Sequence, residues 1–291
     1  MIQDLDFGYL DNQYHREDPR DGDIVICVRG REILLHRAQD DTLSLPTWGQ
    51  VKNWCGNWEQ WFSCPTQYAF TMQEQHYFLF MGCAGDADDY FTYEKAMELR
   101  QQTSKNICFA MMTAWHLYSW YRVNRFCGAC GEKTVHDEKE RMMRCPACGN
   151  MIFPRIAPAV IIGLINGDKL MLSTYANRNY KRYGLLAGFI EIGETAEEAV
   201  AREVMEEVGL KVKNIRYYKS QPWGVAGNLS IGYFCDLDGD DTVHLDENEL
   251  ATAEWFDRND LPAKDDGISL TREMIRIFGE GKEPRRYRID L

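Results

Sequence analysis

No apolar run in this sequence is long enough to span a bilayer. The longest, Ile156–Ile165, is interrupted by Pro158 and falls well short of the roughly 20 residues a membrane helix needs. Met1 to Leu10 carry acids rather than the basic start and apolar core of a secretory leader, so no signal peptide is expected. Basic charge is also scarce: 33 Lys and Arg face 45 Asp and Glu, for a net charge of −12. That balance disfavours broad binding to nucleic acid or to an anionic membrane. A disulfide framework is not expected either, because such frameworks belong to short secreted chains and this one has 291 residues. Six scattered cysteines, Cys27, Cys55, Cys64, Cys83, Cys108 and Cys235, read as reduced thiols of a cytoplasmic protein.

What is present divides the chain into three. Residues 1–123 are rich in aromatics, with Trp48, Trp54, Trp58, Trp61 and Phe62 close together. Residues 124–153 hold two paired cysteine motifs, and 154–291 alternate strand and helix signals. The alternation in the last region suits an α/β (α+β) domain, set behind a separate N-terminal domain and a short cysteine-bearing insert.

In the last region, the apolar Ala159–Ile165 run, Asn166-Gly167-Asp168 and Lys169–Thr174 form a hairpin signature, since Asn-Gly accepts the positive φ of a tight turn. Strands are expected at Ile215–Lys219 and Ser230–Cys235, and a last helix near Ser269. A fainter version occurs earlier. Ile24–Val28, Arg29-Gly30 and Glu32–Leu35 resemble the hairpin, and Tyr93–Gln101 resembles the helix described next. An old duplication whose first copy lost its acids would explain this; so would any α+β domain with one hairpin and one helix.

Thr195 and Glu198 form a capping box. Val200, Val204 and Val208 then give a buried stripe, and Gly209 a C-terminal stop. Glu203 is three residues from Glu206 and four from Glu207, so the three carboxylates leave one side of the helix. Such a cluster suits hard divalent cations, Mg²⁺ above all beside phosphates. A bound cation would neutralise a diphosphate and activate a water. Gly188 and Gly193 let the loop before the helix approach metal and phosphate closely.

Cys127-Gly-Ala-Cys130 and Cys145-Pro-Ala-Cys148 are separated by fourteen residues. Four thiolates at this spacing close a tetrahedral structural zinc site. A redox dithiol would need only one such pair. A nucleic-acid ribbon would want a basic surface, whereas Lys133, Lys139, Arg141 and Arg144 are offset by Glu132, Asp137, Glu138 and Glu140.

The pattern from Gly188 to Leu210 matches the Nudix box at every defining position. Together with the cysteine pairs, Phe153-Pro154-Arg155, Ala187-Gly188-Phe189 and Ser220-Gln221-Pro222-Trp223, it resembles the NADH pyrophosphatase branch of the Nudix hydrolases over about residues 124–280. The resemblance implies a catalytic domain of the α/β (α+β) Nudix fold with a mixed sheet between helices, a zinc ribbon insert before it, a divergent α+β domain at the N-terminus, a structural Zn²⁺ and catalytic Mg²⁺ or Mn²⁺. It implies hydrolysis of NAD(H) to nicotinamide mononucleotide and AMP, and a homodimer. Carried across by motif position, Glu203, Glu206, Glu207, Glu249 and the Ala187 carbonyl would hold the metals. Glu206 would be general base or third ligand, and Glu194 and Arg202 would orient the loop and helix. Phe153, Phe189, Gln221, Trp223 and Thr271 would contact substrate.

One departure bears on the substrate. After Ser-Gln-Pro-Trp the family usually continues Pro-Phe-Pro and then, one residue on, a serine; here stands Gly224-Val225-Ala226-Gly227-Asn228. ADP-ribose, a dinucleoside polyphosphate or NAD-capped RNA are therefore alternative substrates. A Nudix-fold sensor that binds nucleotide without cutting it is the alternative of another class.

Overall fold

The computed structural model describes residues 1–5, 9–55, 66–82, 85–95, 104–176, 182–262 and 265–284. They group into two units. One comprises Gln3–Arg155 with Gly224–Gly227; the other comprises Met1–Ile2, Ile156–Trp223 and Asn228–Leu291.

In the first unit, continuous buried apolar runs build β2 (Ile24–Arg29) and β3 (Glu32–Arg37), flanked by the short strands β1 (Leu10–Asp11) and β4 (Leu43–Ser44). Helix α1 (Trp48–Cys55) follows, then β5 (Thr66–Met72), β6 (Gln75–Phe80), β7 (Phe91–Lys95) and helix α2 (Lys105–Val123). The sheet order is β1-β5-β6-β2-β3-β4, with β7 also paired to β3. Val25, Leu34, Trp48, Val51, Phe78 and Phe91 are among the residues of its core. A small sheet of β8 (Val135–His136), β9 (Met143–Arg144) and β10 (Met151–Ile152) carries the cysteine pairs. It is tied within the same unit by Arg141, which donates to the Asn12 carbonyl at 3.2 Å, and by the Arg16–Glu138 ion pair.

The second unit contains β11 (Ala157–Asn166), β12 (Lys169–Tyr175), β13 (Leu186–Phe189), helix α3 (Ala196–Val208), β14 (Val212–Trp223), β15 (Asn228–Leu237), β16 (Leu250–Asp257) and helix α4 (Leu270–Gly279). Its sheet runs β14-β15-β11-β12-β16, with β13 added to β11. Only the β11–β15 pairing is parallel among these. The sheet lies between the two helices. Val160, Ile162 and Leu164 pack with Val200, Val204 and Val208 of α3, while Ile165, Leu172 and Phe234 pack with Leu270, Met274 and Phe278 of α4. Each fully buried valine of the stripe contributes roughly 1.5–3 kcal/mol. The expected strands at Ile215–Lys219 and Ser230–Cys235 form the middles of the longer β14 and β15.

The two sheets share a plan. Strands β5-β6-β2-β3-β7 are neighbours in that order, antiparallel, parallel, antiparallel and antiparallel, as are β14-β15-β11-β12-β16. A helix follows the hairpin in each. Of the expected counterpart of the acidic helix, Tyr93–Gln101, the described part is strand and not helix. Phe91–Lys95 is a strand with Tyr93 opposite Leu34, and 96–103 lie outside the described residues. Its aromatic and β-branched residues favour a half-buried strand. The helix in the corresponding place is α1, whose sequence contains no acid. Trp58, Trp61, Phe62, Cys64 and Cys83 also lie outside the described residues.

Two glycines show how tightly the layers are built. A Cβ on Gly224 would stand 2.0 Å from the Met112 carbonyl oxygen of α2, so the turn after Trp223 tolerates no side chain at that position. A Cβ on Gly163 would stand 2.5 Å from Cδ1 of Phe234, which is fully buried. Replacing Gly163 by Ala is expected to cost about 1–3 kcal/mol through overpacking, read as a lower urea midpoint with unchanged slope.

Candidate active site

Helix α3 sets out the charges. Thr195 accepts from the Glu198 amide while Glu198 returns a bond to the Thr195 amide, and Gly209 closes the helix at φ +70°. Burying Val204 and Val208 turns the neighbouring Glu203 and Glu207 inward, where they are 9% and 2% exposed; Glu206 faces solvent. Strand β13 meets them. A Cβ on Gly188 would fall 1.9 Å from the Glu203 carboxylate carbon, so that close approach requires glycine.

Arg202 binds the loop and the helix into one frame. Its Nε and Nη2 donate to the two oxygens of Glu194 at 2.7 and 2.8 Å. Nη2 also donates to the Phe189 carbonyl at 2.9 Å, and Nη1 to Glu203 and Glu206, each at 2.8 Å. These bonds, with the Glu191 amide, hold the Glu194 carboxyl down at about 2. The sequence suggests an orienting role for Arg202 and Glu194, and this is the geometry such a role requires.

The buried acids have the opposite problem. Burial raises Glu203, with Glu206 and Glu249 adding repulsion against the relief from Arg202. Burial pushes Glu207 up to about 8, helped by the charges of Glu203, Glu249 and Asp246 and opposed by the Ala187 amide. Its Oε2 has no hydrogen-bond partner. Glu249 reaches this group because the preceding segment runs along the end of α3: His244 and Asp246 donate to the carbonyls of Val208 and Glu207 at 2.9 and 3.0 Å. An unpartnered buried carboxylate oxygen among neighbouring carboxylates fits a hard divalent cation.

The aromatic and polar candidates are placed as follows. Phe189 ends β13 and is 54% exposed. Trp223 ends β14 opposite Asn228, and Thr271 is in the first turn of α4. Phe153 belongs to the other unit, where its ring is also exposed. Gln221 is 2% exposed; its Nε2 donates to the Ile268 carbonyl and its Oε1 accepts from the Leu270 amide, both at 2.7 Å. Its carboxamide therefore pins the start of α4. Reading the motif alone missed Asn228 and Ser230, both buried; the alternation along β15 was the available signal.

In the zinc ribbon the four thiol sulfurs all lie within 4.8 Å of one another, the one group of three or more potential metal ligands so converged among the described residues. Gly131 and Gly149 turn the backbone at φ +80° and +76°. The Ala129 and Cys130 amides lower Cys127 to about 6, which favours the thiolate. This donor set fits Zn²⁺.

Residues 155–277 match the model of the NUDIX domain, and residues 122–153 that of the NADH pyrophosphatase zinc ribbon domain. Residues 155–277 are a NUDIX domain. Among curated proteins, the chain is similar to the NAD-capped RNA hydrolase NudC of Shigella flexneri, 39% identical over 159 residues. It is similarly related to the protein of that name from Klebsiella pneumoniae strain 342, 40% identical over 160 residues. Each match covers 55% of this chain and 62% of the relative. A solved NUDIX hydrolase from Nitrosomonas europaea is similar over 54% of this chain and 91% of its own, at 22% identity and TM-score 0.46. No helix among the described residues is long and apolar enough to cross a membrane.

The raised Glu207 makes a prediction for the NUDIX domain in EDTA. Its folded pKa of about 8 exceeds the value of about 4.3 in an unfolded chain, so the native state binds the extra proton between those values. Stability is then lost as pH rises from about 5 to 8. Thermal melts in EDTA should show that decline, and Glu207→Gln should flatten it; an equal decline in the variant would contradict the assignment.

Proposed function

We propose that this chain is a metal-dependent pyrophosphatase of dinucleotides, splitting NAD(H) into nicotinamide mononucleotide and AMP. The observation that carries this reading is the buried Glu203–Glu207 pair with Glu249 beside it and an unpartnered Glu207 oxygen. Glu203, Glu207, Glu249 and the Ala187 carbonyl would hold Mg²⁺ or Mn²⁺, which would neutralise the diphosphate and supply an acidified water. Water adds to one phosphorus, the bridging P–O bond breaks, and its oxygen leaves with the other phosphate. Arg202 keeps Glu203 and Glu206 oriented through the bonds described above. Glu206, which faces solvent, would take the water's proton or act as a third ligand. Phe189 and Trp223 offer flat faces for a base, and Phe153 is assigned the same task from the ribbon side of the sequence. Thr271 contacts substrate from a helix start that Gln221 secures.

A second reading is favoured by the Gly224–Asn228 segment, which departs from the family pattern where Gly224 can carry no side chain. On that reading the substrate is another nucleoside diphosphate, ADP-ribose or a dinucleoside polyphosphate. The name shared by the curated relatives supports NAD-capped RNA as a third.

The domain division at 1–123, 124–153 and 154–291 belongs to the same proposal, with structural Zn²⁺ on Cys127, Cys130, Cys145 and Cys148. The matching strand order of the two sheets supports the first domain's being a degenerate copy of the third. A homodimer, implied by the family resemblance, belongs to the same proposal. A cytoplasmic location fits the reduced thiols.

Incubation with NADH, NAD⁺, ADP-ribose and NAD-capped RNA under Mg²⁺ or Mn²⁺, with product analysis, should yield the two mononucleotides from NAD(H). Glu207→Gln should lower kcat by about a hundredfold or more; undiminished cleavage by that variant would refute the metal assignment. Metal analysis of purified protein should find about one zinc per chain, lost in Cys127→Ser together with Cys145→Ser; zinc-free folded protein would refute the ribbon assignment.

A further inference from the structure

We propose that Glu273 is a positioning residue: it pins a one-residue bulge in β14 and so keeps Gln221 and Trp223 turned towards α4, the side from which Thr271 would meet substrate; this rests on the dinucleotide reading above. Successive residues of a strand face opposite sides of the sheet. Tyr217 is opposite Tyr233, whose ring is 5.9 Å away and packs into the α3 core. Tyr218 comes next and faces α4, its ring 5.7 Å from that of Phe234. Lys219 should then return to the α3 side. It does not, because β14 advances two residues, from Tyr217 to Lys219, while β15 moves back one, from Tyr233 to Gly232. Such a bulge re-aims the side chains beside it. Neighbouring Tyr218 and Lys219 consequently reach one oxygen on α4: the tyrosine hydroxyl and the lysine Nζ each donate to Glu273 Oε1 at 2.7 Å. Gly232 leaves room for this approach, since a Cβ there would stand 2.8 Å from the Met274 sulfur and 3.3 Å from the Lys219 carbonyl oxygen.

The insertion decides the facing of everything after it, because a one-residue slip exchanges the two sides of a strand. Counted on from Tyr217 without the extra residue, Gln221 and Trp223 would face α3 and the buried acids. With it, Gln221 lies opposite Ser230 and faces α4, where its carboxamide holds Ile268 and Leu270. Strand β14 is thus joined to α4 at two points, by Gln221 at the helix start and by Glu273 in the first turn. Thr271 stands between them. Burial of Glu273 would raise its carboxyl, yet the bonds from Lys219 and Tyr218, the Lys219 charge and the Met1 amine hold it down at about 2. The pin therefore stays charged across ordinary pH, and hydrogen bonds to a charged group are the stronger kind. A bulge interrupts the backbone ladder locally, so this side-chain pin supplies a restraint that the ladder lacks there.

The test reads the strand's facing directly. The Leu270 amide donates to Gln221 Oε1, so its hydrogen exchange, followed by NMR, reports whether Gln221 faces α4. Glu273→Ala should speed that exchange by about tenfold or more relative to the Met274 and Ile275 amides deeper in the helix. The same variant should raise KM for NAD⁺ with Mg²⁺ by about tenfold while kcat stays within about threefold. Tyr218→Phe, which keeps the ring and removes one bond of the pin, should move both readouts the same way by about threefold or more. Faster exchange of equal size along the whole of α4 would mean a general loosening and would overturn the proposal. So would parent-like Leu270 protection, or a parent-like KM, in the folded variants. Should the protein cleave no dinucleotide, the pyrophosphatase reading fails, and Leu270 exchange still decides whether Glu273 pins the strand.

Discussion

Two carboxylates forced under the surface of one helix set the terms for the rest of the C-terminal unit. Glu203 and Glu207 are buried because their valine neighbours must be; the charges of Glu203 and Glu249 add to the cost of ionising Glu207, and those of Glu206 and Glu249 to that of Glu203. The surrounding residues limit that cost. Arg202 takes one oxygen of Glu203 and draws Glu194 and Glu206 into the same frame. Gly188 gives the Glu203 carboxylate room that any side chain would remove. The capping box and the left-handed Gly209 fix where the helix starts and ends, and so fix which residues face the sheet.

Strand β13 divides the labour through the two-residue period of a strand. Gly188 pairs with Val160 on the α3 face, where the acids are. Its neighbour Phe189 pairs with Ala159 on the α4 face, where Asn228, Ser230 and Trp223 gather. One short segment therefore borders the buried acids on one face of the sheet and Asn228 and Ser230 on the other. The acids rest on a helix and a loop tied to that helix's last carbonyls, while the opposite face at this end rests on strand termini and the start of α4.

Local signals were legible where the backbone itself demanded a residue type. The Asn166-Gly167 turn, the Thr195–Glu198 box, the valine stripe and the Gly209 stop each specify geometry within a few residues, and each appears in the fold. The cysteine pairs were equally plain, because four sulfurs at that spacing have few other arrangements. Contacts between distant segments were not. Nothing local to Gln221 says that its amide is spent on residues 268 and 270. Gly224 reads as a loosened turn until the Met112 carbonyl is seen beside it. Tyr93 begins a segment that resembles the later helix in sequence, yet it pairs with β3 in a sheet. Asn228 became notable only when pairing with β11 and β14 showed which face it shares.

The central claim is that the buried acids form a cation site, and binding tests it without relying on turnover. Calorimetric titration of Mn²⁺ near pH 7, in buffers of different ionisation enthalpy, should show binding accompanied by proton release, because Glu207 at about 8 must lose its proton to become a ligand. Glu207→Gln should weaken binding by about tenfold or more and remove most of that release. Mn²⁺ binding of equal affinity and equal proton release in parent and variant would contradict the account.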